Sequence, residues 1–173
     1  MRKGITGMLA AAALWLPHAQ ADSPLGNINI QLYGNIVDFT CVAEGSDSNK
    51  TVQLGRWPTR QLSATGSRTQ AIPFTLKLTG CPPGAASVTF SGIADVSDNQ
   101  LLALNDASQA RSVAVEILDG TKTRLPLQQA SREVTVDAAG NAELAFYANY
   151  IATANNPQPG RADADATFMI NYY

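Results

Sequence analysis

From Asn27 to Ile36 the chain alternates strictly. Ile28, Ile30, Leu32 and Ile36 share one face with Gly34, and Asn27, Asn29, Gln31, Tyr33 and Asn35 fill the gaps. That period predicts a strand buried on one face, with a glycine where a large apolar residue belongs. Further runs rich in Val, Ile, Thr, Leu and Phe predict strands at 51–55, 72–78, 87–92, 112–118, 133–137, 142–152 and 164–173. Turn chemistry separates them, most clearly Cys-Pro-Pro-Gly at 81–84 and Asp-Ala-Ala-Gly-Asn at 137–141. Short strands spaced by turns predict one all-β sandwich. Asn99 to Ala110 has room for a helical turn, but nothing there reads as a long amphipathic helix.

The last segment mirrors the first. Ala164, Ala166, Phe168, Ile170 and Tyr172 fall on one face, and Asp163, Asp165, Thr167, Met169 and Asn171 on the other. As an edge strand, such a segment would invite pairing with another chain. The plain alternative is that both end segments are ordinary strands of a closed core.

Composition places this sandwich outside the cytoplasm. Arg2 and Lys3, an apolar stretch from Ile5 to Leu16 and the Ala19-Gln20-Ala21 site read as a secretory signal peptide, residues 1–21. The apolar stretch is shorter than the roughly 20 residues a membrane span needs, so no direct membrane insertion is expected. Removal of the signal leaves about 150 residues, enough for one domain with its own core. In an exported chain the two cysteines, Cys41 and Cys81, predict a disulfide, with a reactive thiol as the alternative. Closing a loop of about 40 residues would stabilise by about 4 kcal/mol in the chain-entropy model. Ten basic and fourteen acidic residues follow the signal, without a basic cluster, so nucleic acid is a poor partner.

Candidate chemistry is thin. The one histidine, His18, lies in the signal, which excludes Ser-His-Asp and Cys-His catalysis and histidine metal sites in the mature chain. No glycine loop of the phosphate-binding kind follows a strand. Asp95, Asp98 and Asn99 read as a solvated or capping loop, lacking the ligand series of a calcium loop. Asp163 and Asp165 lie on the polar side of their strand. Phe146 and Tyr150 face opposite to Tyr147, so the three form no sugar-stacking platform. No enzyme and no cofactor are expected.

Specific motifs give a sharper reading. Gly34-Asn-Ile-Val-Asp-Phe-Thr-Cys41, Thr51-Val-Gln-Leu-Gly55, Pro73-Phe-Thr-Leu-Lys-Leu-Thr-Gly-Cys81, Phe146-Tyr-Ala-Asn-Tyr150, Pro159-Gly160 and the segment from Ala162 to Tyr172 stand in order along nearly the whole chain. Together they resemble the pilin subunits of chaperone–usher fimbriae. The stretch from Phe90 to Leu104 is similar to minor, adaptor subunits of type 1-like fimbriae. The resemblance implies an incomplete immunoglobulin-like sandwich, residues 38–173, that lacks its last strand and carries an N-terminal donor-strand extension, residues 22–37. A periplasmic chaperone would first supply the missing strand. The extension of a neighbouring subunit would replace it at the outer-membrane usher, on the way to a fimbrium at the bacterial surface.

By that resemblance Ile28, Ile30, Leu32, Gly34 and Ile36 enter a neighbour's groove, with Gly34 where the groove is shallow. Ala166, Phe168, Ile170, Tyr172 and Tyr173 form the groove edge and meet the chaperone, whose basic residues would hold the Tyr173 carboxylate. Burying four large aliphatic side chains is worth about 6–12 kcal/mol gross. Two other readings stand beside the adaptor. One is a major rod subunit. The other is a single-domain carbohydrate-binding adhesin built on Asp95, Asp98, Asn99 and Asn105.

Overall fold

The computed structural model describes residues 41–173. The signal peptide and the proposed donor residues Ile28, Ile30, Leu32, Gly34 and Ile36 lie outside that range. Among the described residues seven strands form in chain order: β1 (Val42–Ala43), β2 (Ile72–Thr79), β3 (Ala85–Gly92), β4 (Val113–Asp119), β5 (Val134–Thr135), β6 (Ala142–Ala152) and β7 (Ala166–Tyr172). A 3-10 turn at Thr59–Leu62 is the helical element among the described residues, and Asn99 to Ala110 forms turns without a helix.

Two antiparallel sheets result, one ordered β1-β2-β6-β4 and the other β5-β3-β7. Alternation sorts the side chains. On β6, Leu144, Phe146 and Ala148 point into the sandwich, opposite Leu76, Phe74 and Ile72 of β2. On β3, Val88 and Phe90 point inward, and Phe168 and Ile170 lie directly opposite on β7. Phenylalanines from both sheets meet at the centre. Phe146 lies 5.0 Å from Phe90, edge to face, and 5.6 Å from Phe74, while Phe90 and Phe168 are 6.5 Å apart. Such pairs add about 0.5–1.5 kcal/mol each beyond the area they bury.

The Cys41–Cys81 disulfide joins the start of β1 to the turn after β2. The turns at 81–84 and 137–141 fall where the sequence places them. In the second, Asp137 Oδ1 accepts from Ala139 and Asn141 backbone N–H groups at 2.9 and 2.8 Å. Those bonds, led by the one from Asn141, hold the Asp137 carboxyl below its usual range.

One expected strand does not form. Residues 51–55 carry the right alternation, with Val52 and Leu54 half-buried and Thr51 and Gln53 exposed, yet they join no ladder. A strand is defined by its partner, and none of the described strands lies beside them. The expected strand at 133–137 shrinks to two residues, and β7 begins at Ala166 rather than 164. Ahead of it, the Asp163 carbonyl accepts from Asn105 N–H and the Arg161 carbonyl from Gln109 and Ala110 N–H, so this stretch is bound to the 105–110 loop instead.

Gly84 shows how tightly the C-terminus is seated. It has φ +143, and an added Cβ would run into the Tyr173 carbonyl. Tyr173 also exchanges backbone hydrogen bonds with Ala85, at 3.0 and 3.3 Å. Gly84→Ala is expected to cost about 1–3 kcal/mol through strain and displacement of this end. A urea titration checks it; an unchanged midpoint would refute it.

Candidate functional site

β7 pairs with β3 along one side only, so its other edge is unpaired among the described strands. Residues 51–55 and the start of β7 line the same opening. Between the two lies a cleft of about 1400 Å³. Its floor is core: Phe74, Leu76, Phe90, Val115, Ile117 and Ala148 all reach it. One wall carries Val52 and Leu54, and the other runs from Pro157 to Phe168.

Hydrogen bonds fix both walls. The Tyr150 hydroxyl donates to the Ala162 carbonyl at 2.6 Å, which ties β6 to the wall ahead of β7. Burial, with the nearby Asp163 charge, pushes the Tyr150 hydroxyl pKa up. Ser108 Oγ donates to the Asp163 carbonyl at 3.0 Å, and Asn105 Nδ2 donates to Asp165 at 2.9 Å. On the opposite wall Trp57 Nε1 donates to the Leu54 carbonyl at 2.6 Å. The wall opposite β7 also rests on Asp47, a buried residue in an otherwise exposed loop. Asp47 accepts from Lys50 Nζ at 2.6 Å and from the Lys77 backbone N–H at 2.7 Å, taking a ladder position on β2 just past the end of β1. The Lys50 bond chiefly holds its carboxyl below the usual range.

Of the residues expected at the groove edge, Ala166 and Phe168 line the cleft. Ile170 is half-buried against the core, and Tyr172 and Tyr173 are exposed beyond the lining. The polar residues considered for a sugar site are spent separately. Asp95 Oδ1 accepts from Ser97 N–H at 2.8 Å, and Asp98 accepts from Gln100 N–H at 3.0 Å and pairs with Arg124 at 2.8 Å. Asn105 bonds Asp165 and Ser108. Asp95 and Asp98 thus act as caps. Asp163 and Asp165 are both exposed, the former paired with Arg161 at 3.2 Å.

Sequence reasoning missed one feature entirely. Glu116 on β4 is fully buried on the outer face of the four-stranded sheet. It accepts from Arg68 Nε and Arg124 Nε, both at 2.7 Å, and from Asn149 Nδ2 at 3.2 Å. Burial pushes its carboxyl up, but the arginine and asparagine bonds outweigh that and hold it below the ordinary range. The cluster pins Arg68 and Arg124 over the sheet. Beside it Leu101, Ala114 and Ile151 form a small second core. A single acid inside the apolar run Val113-Ala-Val-Glu-Ile-Leu118 was the available signal, because an unpaired charge cannot stay in such a strand.

Comparison with known proteins is consistent along the chain. Residues 30–173 match the family model described as fimbrial protein. The fimbrial-like protein FimF of Salmonella typhimurium is 58% identical over 159 residues, covering 92% of each chain. The fimbrial subunit type 1 of Salmonella typhimurium is 35% identical over 172 residues, covering 95% of this chain and 92% of that one. Among solved structures, a subunit in a chaperone–usher pilus superposes with a TM-score of 0.64 at 17% identity, covering 93% of this chain and all of that one.

Proposed function

The chain belongs to the fimbrial-protein family and is a structural subunit of a type 1-like fimbria, and within that role we propose that it is a minor, adaptor-type subunit that accepts and donates a β-strand. The adaptor assignment is supported by 58% identity to the fimbrial-like protein, against 35% to the fimbrial subunit type 1. The observation that carries strand exchange is the cleft between the unpaired edge of β7 and the 51–55 segment, floored by the apolar core of the sandwich.

A strand laid there would do two things at once. It would bond the free edge of β7, and it would give Val52 and Leu54 the ladder partner they lack. Alternate donor side chains would reach Phe74, Phe90 and Val115 on the floor. In the periplasm a pilus chaperone fills the cleft first. At the outer-membrane usher the extension of a neighbouring subunit takes its place, one strand replacing another along the same edge. The chain's own extension, with Ile28, Ile30, Leu32, Gly34 and Ile36, then enters the groove of the next neighbour. An unfilled cleft leaves apolar core and unpaired backbone in water, an aggregation hazard that an obligatory chaperone would cover.

The test is a domain beginning near Asp38, melted with and without a peptide of residues 24–37 or the extension of another pilin from the same fimbria. The expected result is a large rise in melting temperature that is lost when Ile30 or Leu32 becomes Asp. Amide protection should appear along both 167–171 and 52–54. A domain indifferent to every such peptide would mean the sandwich needs no strand, and the carbohydrate-binding reading would take precedence.

A further inference from the structure

Trp57 is the only tryptophan left once the signal peptide is removed, because Trp15 lies within residues 1–21. Leu54, three residues earlier, packs against the sandwich core. The far larger Trp57 belongs to none of the core clusters and is half-buried in the lining of the cleft instead. A ring of that size outside the core still has apolar area to bury.

The ring is held on several sides. Its Nε1–H donates to the Leu54 carbonyl at 2.6 Å. Gly55 lies between them with φ +83, and a Cβ there would sit 3.6 Å from Nε1, so the indole rests directly on this turn. Pro58 restricts Trp57 to extended backbone and leads into the 3-10 turn that buries Leu62 beside Val113 and Ala152. The Leu54 carbonyl is also the one backbone group from Thr51 to Trp57 with a hydrogen-bond partner among the described residues. Groups ahead of it remain open to a strand in the cleft, and at Gly55 the positive φ ends any strand geometry.

The stretch that carries Trp57 runs lengthwise along the sandwich. Asp47, ahead of it, bonds Lys77, which lies opposite Glu143 near the start of β6. Leu62, beyond it, packs with Ala152, the last residue of β6. Trp57 therefore stands towards the end of the cleft that Pro157–Asp165 also lines, where Arg111, two residues before Val113, exchanges backbone bonds with Gln158.

We propose that Trp57 is the positioning residue that sets the register of the accepted strand: pairing with the 51–54 wall stops at Leu54, and the end of the accepted strand lies against the indole. The role rests on the strand-accepting reading of the cleft and deepens it. Alternation alone leaves the register open. A slip of one residue turns the wrong face to the core, but a slip of two keeps the apolar face inward. A ring fixed by Leu54 and Gly55 distinguishes between such registers, and the accepted strand supplies the apolar contact that the ring lacks. Aromatic anchors of this kind carry much of the energy of a protein contact.

Fluorescence of the mature chain tests this directly. The 24–37 peptide contains no tryptophan, so selectively excited indole emission reports Trp57 alone. Adding peptide is expected to shift that emission to the blue and to lower its quenching by acrylamide severalfold, over the concentrations that raise the melting temperature. A raised melting temperature with unchanged emission and quenching would overturn the proposal, without recourse to any variant. Peptides shortened by two residues at one end or the other then test the register. One of the two truncations should weaken binding to the parent severalfold. That loss should vanish in Trp57→Ala and return in Trp57→Phe, which keeps a ring, while the other truncation costs all three proteins the same. Identical losses in the parent and Trp57→Ala for both truncations would also overturn the proposal. Failure of the full peptide to stabilise even the parent would instead overturn the strand-accepting reading beneath it.

Discussion

Glu116→Ala is expected to destabilise the domain by about 3 kcal/mol, toward the lower end of what breaking a buried ion pair costs. The loss comes less from the missing carboxylate than from what it leaves behind. Arg68 and Arg124 both aim their Nε at it from 2.7 Å, and Asn149, itself buried, gives it an N–H. Arg68 is half exposed and can swing into water, which relieves part of the cost; Arg124 is three-quarters covered and keeps Asp98 as a partner. The same cluster sets an acid dependence. The folded carboxyl titrates below its ordinary value of 4.5, so its contribution is complete above that pH and is lost as pH falls through the folded value. Urea midpoints measured from pH 7 downward should hold steady and then drop below about pH 4.5. In Glu116→Gln the midpoint at pH 7 should already be lower and the acid drop shallower. A Gln variant as stable as the parent, with the same acid limb, would show that the cluster contributes nothing.

Phe146→Ala is expected to cost about 3–5 kcal/mol, the usual range for deleting a buried aromatic ring. Its ring is almost wholly enclosed and joins the two sheets through Phe90 and Phe74. Phe74 and Phe90 form part of the cleft floor, and Phe146 backs both of them. The expected effect is therefore double: a lower unfolding midpoint, and a smaller gain in melting temperature on adding the 24–37 peptide. Phe146→Leu keeps most of the volume and should cost under about 1.5 kcal/mol. If Phe146→Ala lowered stability but left the peptide's effect intact, the floor would be held independently of this ring.

What could be read in the sequence differs from element to element. The runs at 72–78, 87–92, 112–118 and 142–152 form strands close to those bounds, because alternation with turn residues on either side is a local signal. Residues 51–55 carry the same local signal and form no strand, because pairing depends on a neighbour that the described part of the chain does not supply. Asp47 and Glu116 illustrate the opposite case. Nothing near Asp47 in sequence distinguishes it from the polar loop around it, yet its carboxylate takes the N–H of Lys77, thirty residues away. Glu116 draws its partners from Arg68, Arg124 and Asn149, on three separate segments.

The sequence by itself determined the class of the protein: an exported, histidine-free sandwich of short strands, stapled by one pair of cysteines and bearing the motifs of a pilin. Those properties are carried by composition, period and ordered motifs, all of which survive without coordinates. Only the tertiary structure decided where the sandwich stays open, which buried acid secures its outer face, and which apolar side chains it leaves exposed. The reason is physical. Side-chain period fixes which face of a strand seeks burial, but whether that face or edge finds a partner is settled by segments distant in the chain, and in this protein β7 finds one on only one of its two sides.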